Sequence, residues 1–318
     1  MSNTSTGWSS LLLAVLLCLT TIVSLADDGA NIVPTGYVAQ REVPGKYALV
    51  ISVEDYKHFP KVDNALNDGR VVHQALLDAG FTFVRYLQNP ATANIIIDHL
   101  KELMQQAQVE TRPAIVVVFF AGHGFQTQGV NYLVPQGARS ELITQDSVPV
   151  STILKRISVD VFSIGIVFLD ACRTVHTLDD TNGATSLLPR FDPGFLAVQD
   201  DGITVISMAT SAGRAAQSFG NGNPLNSPYS GALSQSVALQ SVSLDDVLDR
   251  VRSLVRQDTQ RRQDPVVIKR AGTSHFFIVP GDREASEEEA VWRRVMAQHA
   301  RRNCLEDYVA RFPSGWLS

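Results

Sequence analysis

The sequence predicts an α/β fold of three layers, in which helices cover both faces of a central, mostly parallel sheet of six strands. Short apolar and β-branched runs alternate along the chain with segments of helical periodicity, which is typical of such a sheet. Several runs are apolar throughout, as expected for strands that are covered on both faces. The 318 residues are 45% hydrophobic, enough to bury a sizeable core.

Six runs bounded by glycine, proline or polar residues predict the strands in order. A short hairpin arm is predicted at 131–134, after the third strand. The six predicted strands are 47–53, 81–87, 114–120, 164–169, 203–208 and 276–279.

Four helices are predicted between these strands. Two have clear start signals: Ser227-Pro228 places a capping serine before a proline, and Ser243 with Asp246 forms a capping-box pattern. The other two have a one-sided apolar pattern. These two helices are predicted at 62–79 and 92–107.

Composition excludes several classes of function. The formal net charge is −5, so no basic surplus indicates binding to nucleic acid or to an anionic membrane surface. The three cysteines, Cys18, Cys172 and Cys304, are too few for a disulfide scaffold or a multi-cysteine zinc site. No glycine-rich phosphate loop or metal-ligand spacing occurs, so no nucleotide cofactor and no metal site are expected.

The N-terminus has the pattern of an export signal. Residues 11–26 are apolar and uncharged, and the run is short for a membrane span, which needs about 20 residues. Small residues up to Ala26, followed by Asp27, resemble a cleavage site, although no Lys or Arg precedes the run. We expect an exported protein, periplasmic or secreted, with signal peptide 1–26 and leader 27–44. The alternative is membrane anchoring by 11–26.

Two central strands end in residues that can carry chemistry. The third runs into Ala121-Gly-His123-Gly, and the fourth into Asp170-Ala-Cys172-Arg. Parallel neighbours would bring both ends to one edge of the sheet, where an imidazole can raise the thiolate fraction of a cysteine. The backbone N–H groups of Gly124 and Cys172 could then stabilise an oxyanion. The alternatives are a buried structural cysteine and a histidine in a turn.

These motifs carry a family resemblance. VVVFFAGHGFQTQGVNYLVP and IVFLDACRTV resemble the large-subunit region of caspase-like cysteine peptidases, with the bacterial metacaspase-like (orthocaspase) group as the nearest relatives. GNPLNSPYSGALSQSV and QDPVV are similar to the small-subunit region. The resemblance implies a caspase-like domain over 45–280, followed by a charged helical tail, 281–318. Its large-subunit region is about 45–175, its linker about 176–202 and its small-subunit region about 203–280.

The resemblance also implies roles for residues. His123 and Cys172 match the catalytic dyad of a thiol endopeptidase. Asp170 and Asp68 match the acidic pocket that binds Arg or Lys before the scissile bond, so proteins or peptides with basic residues are the expected partners. A carboxylate pair in a cleft would favour a cation. The alternatives are an N-cap role for Asp68 and a strand-end turn for Asp170.

Three further expectations concern regulation and activity. The linker contains Arg190, after which we expect self-cleavage, as is common in the family. Metacaspases frequently need calcium, but Asp179-Asp180 and Asp200-Asp201 are typical of solvated loops, so no cofactor is expected. The rival functions are a catalytically silent caspase-like module that binds or signals, and a different hydrolase on the same scaffold. The sequence does not indicate the oligomeric state.

Overall fold

A computed structural model describes residues 45–109, 114–157, 163–172, 203–210, 216–220, 225–269 and 276–281 of the chain. These residues all lie in one structural unit, Glu42–Ser318. A single 3-10 turn spans Ser140–Leu142. The strands are β1 (Gly45–Ser52), β2 (Phe83–Gln88), β3 (Ala114–Thr127), β4 (Val130–Leu133), β5 (Val148–Pro149), β6 (Ser163–Cys172), β7 (Ile203–Met208) and β8 (Val266–Lys269). The helices are α1 (Ala65–Asp78), α2 (Ala93–Val109), α3 (Ile143–Asp146), α4 (Val150–Ile157), α5 (Pro228–Ser234) and α6 (Leu244–Asp258).

Within the described residues, the main sheet has six strands in the order β2-β1-β3-β6-β7-β8. The first five are parallel to their neighbours, and β8 pairs antiparallel with β7. A small extension adds β4 antiparallel to the end of β3, and β5 antiparallel to β4. This confirms the predicted α/β class with a mostly parallel central sheet.

The prediction of the last strand was wrong. The sixth strand is Val266–Lys269, and not the apolar run 276–279. In the structure, Phe276 and Ile278 are buried among the helices on one face of the sheet, and Phe277 makes an isolated bridge with Ser243. The run is therefore apolar because its side chains fill the core.

Helices lie on both faces of the sheet. Alternate side chains of β3 point to opposite faces, because the side-chain period of a strand is two. Val117 and Phe119 pack in the cluster that contains the apolar residues of α1, α5 and α6, whereas Val116 and Val118 pack with those of α2 and α4. The sheet is thus the middle of three layers.

The two central strands are longer than predicted. β3 continues past Phe120 because it pairs first with β6, as far as His123 opposite Cys172, and then with β4 from Gly124 opposite Leu133. β6 likewise continues past Leu169 to Cys172. His123 and Asp170 therefore lie inside paired strands, and both of the alternatives that placed them in turns were wrong.

The predicted helix start signals are confirmed. The Ser227 side chain accepts a hydrogen bond from the Ser230 N–H at 3.0 Å, with Pro228 at the first helical position. The Ser243 hydroxyl accepts from the Asp246 N–H at 3.1 Å. Each bond satisfies a backbone donor that the first helical turn leaves without an intrahelical partner.

Candidate active site

An open pocket of about 130 Å³ lies at the carboxyl edge of the sheet. Its walls come from the loop after β1, from α1, from the ends of β3 and β6, and from two segments that follow β7. Residues far apart in the sequence therefore share one cavity. The lining residues that carry the argument below are Lys61, Asp68, His123, Asp170, Ser218 and Ser227.

Hydrogen bonds and ring packing hold His123 in place. Its backbone N–H donates to the Tyr56 hydroxyl at 2.7 Å, and that hydroxyl donates to the Val134 carbonyl at 3.1 Å. The Tyr56 and His123 rings lie 4.6 Å apart between centroids. The imidazole Nε2 lies 2.8 Å from the Pro60 carbonyl oxygen, which can only accept. Nε2 therefore carries a proton, and in the neutral ring the lone pair is on Nδ1.

Gly122 makes this packing of the tyrosine and the histidine possible. Its φ of 152° lies in the half of conformational space that side chains rarely enter. A Cβ at this position would be 2.6 Å from the Tyr56 hydroxyl and 3.1 Å from the Val53 carbonyl oxygen. Only glycine allows the strand, the tyrosine and the loop after β1 to approach so closely.

The backbone of Cys172 lies beside that of His123, because the parallel register of β3 and β6 makes the two residues direct partners. The Cys172 side chain lies outside the described parts of the chain. Gly124, which follows His123, is buried in β3 opposite Leu133. The predicted neighbours on the sheet edge are thus brought together at the level of the backbone.

Asp68 lies in the first turn of α1 and is 3% exposed. Its Oδ1 accepts a hydrogen bond from the Ser227 N–H at 2.8 Å and one from the Asn226 amide at 3.2 Å. The N-cap of α1 is Asn64, so the alternative role of Asp68 as a cap was wrong.

Asp170 lies in β6 and is 7% exposed. Its Oδ2 accepts hydrogen bonds from the hydroxyl groups of Ser227 and Ser230, the second at 2.5 Å. Both carboxyl groups in the pocket are therefore held by the start of α5, which lies far along the chain. A buried carboxylate needs such donors to remain charged.

Burial dominates the ionisation of this pair. It raises the pKa of Asp68 from 3.8 to about 8, and the negative charge of Asp170 raises this pKa further. The hydrogen bonds from Ser227 and Asn226 lower it by a smaller amount. Burial also raises the pKa of Asp170, against the two serine hydroxyl groups. Two carboxyls in one low-dielectric site ionise reluctantly together, and a cation bound between them would favour the charged forms.

Side-chain amides hold the segments that follow β7. Asn64 donates to the Ser218 carbonyl at 3.1 Å. Gln263 is fully buried and accepts from the Gln217 N–H at 2.9 Å, while its own amide donates to the Ala209 carbonyl at 2.9 Å. These contacts place Gln217 and Ser218 on the rim of the pocket.

Sequence reasoning missed the residues that position the site. Tyr56, Pro60, Asn226, Ser230 and Gln263 carry no signal of their own, because each acts on a partner distant in sequence. The one available signal was Ser227-Pro228, which was interpreted only as a helix start.

Several predicted sites lie outside the described residues. These include Arg190, the proposed self-cleavage site, and the N-terminal segment 1–44. The aspartate pairs 179–180 and 200–201 also lie outside them. In the part of the chain that is described, no group of three or more His, Cys, Asp or Glu could hold a metal ion. No helix in these same ranges has the length and apolarity needed to cross a membrane.

Comparison with known proteins gives one match and one negative result. No curated protein is detectably similar to the chain. The family model of the caspase domain, peptidase C14, matches residues 45–277, which include β1, β8 and every strand between them. The match covers both halves of the pocket, together with His123 and Cys172. We conclude that the chain belongs to the caspase-domain family of cysteine peptidases.

Proposed function

We propose that this protein is a cysteine endopeptidase that cleaves after Arg or Lys, with Cys172 as nucleophile and His123 as its acid–base partner. The observation that carries the proposal is that the dyad residues and two buried acids lie together at one edge of the sheet. The register of β3 and β6 pairs His123 with Cys172, and the pocket that His123 lines also contains the buried carboxyls of Asp68 and Asp170.

The acid–base role of His123 is supported by its tautomer. Because Nε2–H is bonded to the Pro60 carbonyl, Nδ1 is the nitrogen that can accept and return a proton. In the proposed reaction the Cys172 sulfur attacks the scissile carbonyl carbon, and the C–N bond breaks. His123 delivers a proton to the leaving amine. Water then hydrolyses the thioester and restores the thiol.

The transition state develops negative charge on the carbonyl oxygen. We assign its stabilisation to the backbone N–H groups of Gly124 and Cys172, which lie on adjacent strands. Backbone donors in a paired sheet are already oriented, so they need little reorganisation during the reaction.

The specificity for basic residues is supported by charge and burial. The two acids of the pocket are buried and their described hydrogen bonds come from neutral donors, so a bound cation would favour their charged forms over the protonated ones. The described cation on the pocket wall, Lys61, is bonded to Glu54 at 2.9 Å. An arginine or lysine side chain supplies the missing positive charge, whereas an aspartate side chain would be repelled.

The test is turnover of short fluorogenic peptides that end in Arg, Lys or Asp. We expect cleavage of the Arg and Lys peptides only, with Cys172→Ala and His123→Ala each reducing kcat/KM by about a thousandfold or more. Asp68→Asn should raise KM for the Arg peptide. The exposed Asp78→Asn on the same helix is the matched control and should leave KM unchanged. Equal turnover by Cys172→Ala would end the peptidase assignment, and absent turnover with retained peptide binding would favour a silent binding module.

We further propose that the enzyme processes itself after Arg190, in the connection that begins directly after Cys172. The mass spectrum of protein after prolonged incubation should show two fragments that meet at Arg190. Both Arg190→Gln and Cys172→Ala should stay intact. An intact wild-type chain in a preparation that cleaves the Arg peptide would contradict self-processing.

A further inference from the structure

The two serines at the start of α5 have an unusual relationship to Asp170. Ser230 is fully buried, and its hydroxyl donates to Asp170 Oδ2 at 2.5 Å across 60 residues of sequence. Ser227, 2% exposed, donates to the same oxygen. Two hydroxyl groups of one helical turn therefore converge on a single carboxylate oxygen.

The directions of these hydrogen bonds are determined by the helix. The Ser227 hydroxyl oxygen already accepts from the Ser230 N–H at 3.0 Å, so its proton is available to the carboxylate. The described hydrogen bond of the Ser230 hydroxyl goes to Asp170 as well. An ionised carboxylate accepts both bonds, and hydrogen bonds to the charged form stabilise that form against burial.

We propose that Ser230, together with Ser227, is a positioning residue for recognition of the basic substrate side chain. Its hydroxyl orients the Asp170 carboxylate and stabilises the charged form of that carboxylate. This inference rests on the proposed function and assigns a role in it to a helix that does not carry the dyad. In this proposal neither serine forms or breaks a covalent bond.

A further described donor to Asp170 is the Ser230 backbone N–H, which Ser230→Ala would retain. Asp68 on α1 is also acidic, and the repulsion between its negative charge and that of Asp170 opposes ionisation of both groups. Tyr229 on α5 directs its hydroxyl to Ser207 at 2.7 Å, and the pKa of Tyr229 is raised by its burial. Among the residues that the structure describes, the other charged or titratable groups of the pocket wall are Lys61, Asp63 and His123.

The experiment measures binding of benzamidine, a small aromatic amidinium cation, by calorimetry and turnover of the Arg peptide between pH 6 and pH 9. For Ser230→Ala we expect benzamidine affinity to fall by about tenfold and KM to rise by a similar factor, with a much smaller change in kcat. The acidic limb of kcat/KM against pH should move to higher pH, because Asp170 loses a donor to its charged form.

The matched control is Ser234→Ala on the next turn of α5, where the hydroxyl donates to the Gly231 carbonyl at 3.0 Å. It should change neither affinity nor the pH profile. A second pair tests Ser227: Thr retains the hydroxyl and the cap, whereas Gly retains most of the capping preference without the hydroxyl. We expect Ser227→Thr to resemble wild type and Ser227→Gly to resemble Ser230→Ala.

The outcomes separate this inference from the proposed function. Wild-type affinity and pH profile in Ser230→Ala would overturn the role of the serine while the basic pocket stands. If Ser230→Ala fails to fold, identical behaviour of Ser227→Thr and Ser227→Gly would overturn it. A wild-type protein that binds no benzamidine and cleaves no Arg peptide would overturn both.

Discussion

At the scale of single residues, the site depends on neutral groups that hold reactive ones. A tyrosine hydroxyl and a proline carbonyl fix the backbone and ring of His123, and an amide, a backbone N–H and two hydroxyl groups hold the acids. These partners carry no charge themselves, so they orient the reactive groups through hydrogen bonds without adding a charge to the site.

Gly122→Ala should damage both stability and activity. The added Cβ would contact the Tyr56 hydroxyl, and φ would be strained, so we expect a loss of about 2 kcal/mol in the free energy of unfolding and a lower kcat. Urea denaturation and peptide turnover measure the two effects.

Gly80→Ala is the control for the glycine substitution. Gly80 also has a positive φ, 81°, but the nearest atom to its Cβ would be the Lys46 Nζ at 3.7 Å. It should lose about 1 kcal/mol of stability and keep full activity. Normal activity in Gly122→Ala would show that the packing of Tyr56 against the strand does not position His123.

At the scale of elements, most of the sheet is predictable and much of the pocket is not. Four of the six strands of the described sheet follow from continuous apolar runs, because strands buried on both faces have few polar positions, and the edge strand β2 was predicted from a mixed run that includes Arg85. The sixth was misplaced because burial without strand pairing produces the same apolar run. Two short helices were missed: α3 has only four residues and is too short to show a period, whereas α4 does have the helical pattern, with Val150, Ile153, Leu154 and Ile157 buried.

The candidate site likewise has a part that the sequence predicts and a part that it does not. His123 and Cys172 follow directly from motifs at strand ends, and the register of β3 and β6 agrees with that reasoning. The hydrogen-bond partners of Asp68 come from 158 and 159 residues away, a separation that no local pattern encodes. Prediction therefore reached the groups proposed for chemistry and missed those that hold them.

The cap of α6 offers a test confined to one element. Ser243→Ala removes the acceptor of the Asp246 N–H and should lower the free energy of unfolding by about 1 kcal/mol. Turnover at saturating peptide should not change, because α6 does not contribute to the pocket wall. Ser253→Ala, at an exposed position within the same helix, should leave stability unchanged or slightly raised.

A loss of stability in the mid-helix Ser253→Ala that equals the loss in Ser243→Ala would contradict the capping assignment. A fall in turnover in Ser243→Ala alone would indicate that α6 is coupled to the site.

At the scale of the whole molecule, ionisation of the buried acids has two opposite effects. It favours the proposed binding of a basic side chain, and it lowers the free energy of unfolding. The pKa of Asp68 in the folded state, about 8, lies above its ordinary value of 3.8. Between these values the folded protein retains a proton that the unfolded chain has lost, so the free energy of unfolding falls as pH rises toward about 8. The charge that the proposed binding of a basic substrate needs is therefore formed at the expense of fold stability.

Asp68→Asn should reduce this dependence of stability on pH. The amide cannot ionise, yet its oxygen can still accept from the Ser227 N–H. We expect the variant to be more stable than wild type at pH 8 by at least about 1 kcal/mol, with a smaller difference at pH 5. Urea denaturation at both values measures the change. The same pH slope in variant and wild type would show that Asp68 does not control it, and Asp78→Asn should retain the wild-type slope.

The long sequence separation between the acids and their hydrogen-bond partners also has a consequence during translation. Asp68 and Asp170 leave the ribosome well before the serines and the asparagine that bind them. Until the chain has been made beyond residue 230, these carboxylates have none of their α5 donors. A nascent chain that already contains both motif residues therefore lacks the complete pocket that we propose for basic side chains. If the proposal is right, proteolysis cannot begin until synthesis of the domain is nearly complete.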